Sequence, residues 1–110
     1  MKYDPKTNKR EMNKLEHKLA KDLNMIRCSM SGAGIHKGDM RDDIFMIDLK
    51  FTYSDTSISI KKKDFQKLDS EAFGEDKIPV MAISINGYER FIIGKEEFEH
   101  YKKWREENDD

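Results

Sequence analysis

The chain has a single cysteine, Cys28, in 110 residues. A lone thiol excludes an internal disulfide framework and fits a reducing compartment such as the cytoplasm. Long apolar runs are missing too: none approaches the roughly 20 residues that a membrane span requires. The amino terminus is polar and basic through Lys21, unlike a secretory leader. No glycine loop ending in Gly-Lys-Ser/Thr occurs, and no dinucleotide fingerprint. His17, His36 and His100 lack the spacing of a zinc site. Internal repeats, low-complexity segments and linkers are likewise absent. The chain is 36% hydrophobic and 39% charged, so its core must be concentrated in a few elements.

Six Phe, four Tyr, one Trp and seven Met are enough to build one core. The length allows a single domain over residues 1–110. Residues 1–7 read as a flexible leader and residues 105–110 as a flexible acidic tail. The net charge of −1 is unevenly spread. Residues 1–40 carry nine Lys/Arg against five Asp/Glu, whereas residues 95–110 carry four against seven. A basic half can present a positive face to a polyanion, although a solvated mixed surface explains the charge equally simply.

Met12, Leu15, Leu19 and Leu23 follow helical spacing from about Asn8 to Leu23. A short strand is expected over residues 25–30, then a flexible Ser31-Gly32-Ala33-Gly34 loop. Residues 44–52 form the central strand, apolar enough to be buried on both faces. Ile58 and Ile60 are read as a short further strand. A second helix is expected from about Lys62 to Phe73, with Phe65, Leu68 and Ala72 on one side. Pro79 opens a strand through Ile85, Asn86-Gly87 is a hairpin signal, and Tyr88–Ile93 returns. A last helix runs from about Lys95 to Glu107. Phe91, Ile93, Phe98, Tyr101 and Trp104 are expected mostly in the core, with a subunit interface as the alternative. The order α-β-β-β-α-β-β-α gives an α/β fold, a mixed sheet flanked by helices.

Asp48 and Lys50 stand two positions apart inside an apolar strand, so both side chains share one face. A buried acid costs several kcal/mol unless it is paired or bound to a cation. Lys50 is the structural candidate partner, though strand neighbours at this spacing are usually too far apart for a tight ion pair. Asp39 follows Gly38, and a turn at Arg41-Asp42-Asp43 would fold it back beside Asp48. Two converging carboxylates and a lysine suit a hard divalent cation and a phosphate. Glu16 lies on the apolar arc of the first helix, about 40° from Met12 and about 20° from Leu23 at the usual helical pitch. It needs a partner there: a metal site or its water shell, solvent at the edge of the stripe, or Lys50. The small residues of Ser31–Lys37 would let backbone approach a phosphate, with Ser31 and Lys37 as contacts. Lys61, Lys62 and Lys63 sit at a helix amino terminus, where positive charge is disfavoured. An external anion such as a DNA backbone would relieve them, as would plain solvation. Gln66, one turn on, is a further candidate contact.

Glu16, Ser31-Gly32, Gly38-Asp39 and Asp48-Leu49-Lys50, followed by a helix, resemble the PD-(D/E)XK nuclease superfamily. Within it the pattern is most similar to small Holliday-junction resolvases of archaea and their phage-encoded relatives, over about residues 10–95. The resemblance implies a restriction-endonuclease-like fold with an α-β-β-β-α-β core plus a carboxy-terminal strand and helix. It implies Mg²⁺ or Mn²⁺ held by Asp39, Asp48 and the Leu49 carbonyl, with Glu16 completing the site. Lys50 would orient the attacking water, and Ser31 would contact the scissile phosphate. It implies branched DNA as substrate, a homodimer, and host cytoplasm if phage-encoded. A less selective nicking or restriction-like nuclease and a non-catalytic DNA-binding module are the alternatives. Gly38 stands where the family name has proline, and Asp48 where resolvases more often have glutamate. Only eight residues separate Asp39 from Asp48, little room for a hairpin.

Overall fold

The computed structural model describes residues 4–28 and 38–109. Ser31, Gly32, His36 and Lys37 lie outside the described residues. Three helices and one five-stranded mixed sheet follow in the order α1 (Pro5–Asp22), β1 (Ile26–Arg27), β2 (Met40–Arg41), β3 (Phe45–Thr52), α2 (Lys62–Gly74), β4 (Ile78–Ile85), β5 (Tyr88–Ile93) and α3 (Lys95–Asn108). The chain is thus α/β. Strands lie in sequence order, antiparallel from β1 to β3, parallel between β3 and β4, and antiparallel again at β5. The parallel step requires a crossover, and α2 supplies it.

The first helix begins earlier than its apolar spacing suggests. Asp4 caps it, accepting the Lys6 amide at 3.2 Å and the Thr7 hydroxyl at 2.7 Å, and Pro5 occupies the first turn. Proline is suited to that position because its missing N–H would have no helical partner. Residues 5–7 of the expected leader are therefore helix. Likewise α3 continues to Asn108, so helix occupies most of the expected acidic tail.

Alternation along β3 divides the core between its two faces. Ile47 and Leu49 pack with Val80, Ala82, Met40 and the α1 residues Leu19 and Ala20. Met46 faces the other way, against Met81 and the α2 residues Leu68 and Ala72. Leu23, expected on the α1 stripe, is 41% exposed because it caps the helix instead of continuing it. The strand expected at Ile58 and Ile60 does not form. Ile60 instead packs as irregular chain against the α2-side cluster, and the third strand of the meander is Met40–Arg41.

Asn86 and Gly87 both take positive φ, 47° and 84°, as a two-residue turn matching strand twist requires. The last helix departs most from expectation. It has no buried residue, and Phe98, Tyr101 and Trp104 are each about half exposed. Phe91 and Ile93 are open as well, so these five do not form core.

Gly38 carries a different constraint. Its φ is +79°, and a Cβ there would sit 2.7 Å from Met46 Cγ and 3.2 Å from the Ile47 carbonyl. Met46 is fully buried and has nowhere to retreat. Gly38→Ala should therefore destabilise the fold by about 2 kcal/mol or more. Gly74→Ala, where nothing lies within 4 Å and φ is not positive, should be neutral or slightly stabilising. Urea unfolding of the two variants measures both.

Candidate active site at the β2–β3 hairpin

Eight residues suffice for the hairpin because its turn is built by one side chain. Asp42 Oδ1 accepts the amides of Ile44 at 2.8 Å and Phe45 at 2.7 Å, closing the chain tightly. Met40 then pairs with Ile47 and Arg41 with Met46. Met40 is fully buried under α1 and anchors the short strand. Asp39 stands one residue before this pairing, within reach of the Asp48 carboxylate. The Asp39 amide donates to the Ile47 carbonyl at 2.8 Å, and the Asp39 carbonyl accepts from Cys28 at 3.0 Å.

β2 ends before β3 does, so the β2-facing amide of Leu49 lies past its last paired residue. Asp39 Oδ2 accepts that N–H at 2.6 Å. In a strand, a residue's N–H and C=O leave the same edge, so the Leu49 carbonyl is directed toward the same region. Burial, more than any other cause, pushes the Asp39 carboxyl up to about 7. The negative charges of Asp48 and Glu16 add to the rise, as does the proximity of Asp48 as a hydrogen-bond partner, while the Leu49 amide opposes it. Two acids this close resist sharing two negative charges.

Lys50 Nζ lies 3.5 Å from Asp48 Oδ2, with both side chains about a third exposed. The two-residue spacing therefore does bring the charges together, contrary to the usual separation of strand neighbours. Lys50 also acts on Asp64 in the first turn of α2, which places the lysine end of that helix near the site. Asp64 itself accepts the Lys61 amide at 2.8 Å, and chiefly for that reason its carboxyl lies below the ordinary range. The amino terminus of α2 thus already has an internal anion, a cap that the reading of Lys61, Lys62 and Lys63 overlooked. These lysines, together with Gln66, remain on exposed surface.

Glu16 is 1% exposed, as its place on the apolar arc requires. Its partner is neither solvent nor Lys50 but Arg27, whose Nη2 donates to Glu16 Oε2 at 2.6 Å. The other guanidinium nitrogen, Nη1, meets His17 Nε2 at 2.7 Å. Nothing in the sequence marked Arg27 out except its position in an alternating strand, since α1 and β1 are joined by too few residues to show a pattern. Glu16 Oε1 is buried and has no hydrogen-bond partner.

The hairpin therefore brings Asp39, Asp48, Lys50 and the Leu49 backbone together. Glu16 lies close enough to act on Asp39 electrostatically, from the helix that covers the opposite face of β3. Among the described residues, no group of three or more His, Cys, Asp or Glu is arranged to hold a metal ion. The donor set of the aspartate pair nevertheless fits a hard divalent cation. Two carboxyl groups in contact, one of them protonated near neutrality, gain most from a dication that displaces the proton. The orphaned Glu16 oxygen is a third such group nearby. No family model, curated protein or solved structure matches this chain. No helix among the described residues is long and apolar enough to cross a membrane.

The raised Asp39 carboxyl has a consequence for stability. Its folded value of about 7 exceeds the ordinary 3.8, so the folded chain binds the extra proton between those limits. Its contribution is complete below about pH 4 and is lost as pH rises through about 7. In the absence of divalent cations, the melting temperature of wild type relative to Asp39→Asn should fall across that window. A difference in melting temperature that does not change with pH would show that the proton is not shared as described.

Proposed function

We propose that the chain is a metal-dependent DNA endonuclease of the PD-(D/E)XK type, acting on branched DNA in the manner of a junction resolvase. One observation carries the reading: a short hairpin sets Asp39 beside Asp48, with Lys50 3.5 Å from Asp48 on the same strand. The antiparallel β1–β2–β3 meander, the α2 crossover and the parallel β4 are the arrangement that a restriction-endonuclease-like core would have. This supports the finer fold assignment.

Asp39, Asp48 and the Leu49 carbonyl would hold Mg²⁺ or Mn²⁺, with Glu16 joining through its unpartnered oxygen, directly or through water. When bound, the ion supplies charge neutralisation at the phosphate and a more acidic water. Lys50 orients that water and offsets negative charge developing on phosphorus. The product is a hydrolysed phosphodiester, with no covalent enzyme intermediate. Lys61, Lys62, Lys63 and Gln66 hold the DNA backbone beside the cut, together with Ser31, Gly32 and Lys37. Recognition by backbone and shape needs no base contacts. The setting is the cytoplasm, that of a host if the chain is phage-encoded.

Symmetric cutting of a four-way junction needs two sites, hence a homodimer. The exposed aromatic face of α3 is the seam that fits. Its first half carries Lys95 with Glu96, Glu97 and Glu99, a net of −2, and its second half carries Lys102, Lys103 and Arg105 with Glu106 and Glu107, a net of +1. Two copies laid antiparallel set the net-acidic half against the net-basic half while burying Phe98, Tyr101 and Trp104. A free 14-residue helix is only marginally stable in water, so such cover also stabilises α3 itself. Sedimentation equilibrium should give a dimer, and Phe98→Glu with Trp104→Glu a folded monomer. A wild type that stays monomeric at every concentration rejects the seam.

The lack of a three-acid group favours one rival, a DNA-binding module whose acids are structural. A less selective nuclease is the other, favoured by the weak overall basicity. Four-way junction, nicked, flap and linear duplex DNA incubated in Mg²⁺ separate all three. Paired symmetric cuts confined to the junction are expected. Asp48→Asn or Lys50→Ala should lower the rate at least a hundredfold while leaving DNA binding intact or tighter. Equal cutting of linear duplex would leave the less selective nuclease, and no cutting at all the binding module.

A further inference from the structure

Strand register carries the site's face beyond Lys50. Lys50 pairs with Ile83, and Ile83 with Arg90; Thr52 pairs with Ile85, and Ile85 with Tyr88. Paired residues share a face, so Arg90 and Tyr88 stand on the Asp48–Lys50 side of the sheet, two strands away. At about 4.8 Å per strand that is roughly 10 Å from Lys50. Helix α2 covers this face over β3 and β4 but stops short of the far end of β5. Between α2 and β5 it leaves a hollow of about 240 Å³ lined by Phe65, Leu68, Met81 and Ile92. Beyond it Tyr88 is 70% exposed and Arg90 is open to solvent.

The two side chains are organised with respect to each other. The Arg90 guanidinium lies over the Tyr88 ring, 5.1 Å from its centroid, and its Nη1 donates to the Glu89 carbonyl at 2.7 Å. Glu89 alternates to the opposite face, and among the described residues Arg90 has no carboxylate within ion-pair distance. A guanidinium held over an exposed ring, with no carboxylate beside it among the described residues, presents a cation and a stacking surface to the same ligand. The tight Asn86-Gly87 turn fixes the strand end that bears them.

We propose that Tyr88 and Arg90 form a subsite for an unpaired nucleotide flanking the phosphate at Asp48 and Lys50. The base stacks on the Tyr88 ring, and Arg90 takes the adjoining phosphate. This rests on the nuclease reading, and it deepens that reading by naming the part of the substrate that distinguishes branched from continuous duplex. Stacking a base on an aromatic ring is sequence-tolerant and suits a structure-selective enzyme.

The test is fluorescence anisotropy in an Asp48→Asn background, with a labelled duplex bearing a single-stranded flap and the same duplex without it. Arg90→Ala and Tyr88→Ala should each weaken flap binding about tenfold, while Tyr88→Phe keeps it. Continuous duplex should change less than twofold for every one of these variants. Arg10→Ala, which removes the same charge from exposed α1, should leave both affinities unchanged. Both β5 side chains are exposed, so thermal unfolding should show intact folding. Equal flap affinity for parent, Arg90→Ala and Tyr88→Ala overturns the subsite, and cleavage by wild type would still stand. Flap binding that depends on Tyr88 and Arg90 without any cleavage by wild type supports the subsite and overturns the nuclease reading. Absence of DNA binding by the parent overturns both.

Discussion

Two carboxyl groups pressed together at the edge of a sheet are the constraint on which the site depends. Isolated, Asp39 and Asp48 would repel, and nothing local would keep them adjacent. The hairpin holds them there through apolar packing of Met40 under α1 and of Met46 under α2, with the Asp42 turn setting the length. Hydrophobic burial thus offsets an electrostatic cost that the strand ends would otherwise avoid. Burial above all, with the charges of Asp48 and Glu16 adding to it, makes Asp39 retain a proton near neutrality. Strongly shifted carboxyls cluster at functional sites, though structural networks shift them too, which makes this pair a candidate site.

The rest of the fold protects that arrangement at several levels. Gly38 lets the chain enter β2 with a left-handed residue packed on Met46, a path closed to any side chain. Leu49 supplies the amide that orients Asp39, and the parallel pairing of β3 with β4 keeps Leu49 in place. Arg27 neutralises Glu16 in the interior. The charge of Glu16 would otherwise be very costly at 1% exposure, and removing one member of such a pair typically loses about 3–5 kcal/mol. Glu16 is then fixed with one oxygen engaged and one free.

Strong local signals made much of this legible in the sequence. The Asn86-Gly87 turn, the apolar central strand and the helical spacing of Phe65, Leu68 and Ala72 each determine an element by short-range physics. The burial of Glu16 followed from its angle on α1. The approach of Asp39 to Asp48 followed from an acid pair flanking a turn. What stayed hidden depends on contacts between distant segments. β2 has two residues and no pattern of its own, since its partner and Met40 define it. Ile58 and Ile60 alternate like a strand, but Ile60 is drawn as irregular chain into the cluster beside α2. Arg27 was invisible because a guanidinium's partner is chosen by tertiary packing, and Asp64 because a cap one turn inside a lysine run reads as ordinary surface. The aromatic residues of α3 look like core on hydrophobicity alone. Only the way the helix leaves the sheet exposes them.

An overall charge of −1 conceals an uneven local distribution. The acids are not distributed against the basic groups uniformly. The site's own carboxyls are buried, partly protonated or paired, so they project less negative field than their number implies. Lys61, Lys62 and Lys63 sit beside Lys50 at one end of α2, and Arg90 extends the same face across the sheet. Helix α3 carries five acidic and four basic residues, and pairs Lys95 with Glu99 and Lys102 with Glu106 along its own length. At physiological salt, fields fade over about 8 Å, so any charged ligand would respond to the face it touches and hardly to the distant helix. Local arrangement, not net charge, decides what this surface attracts.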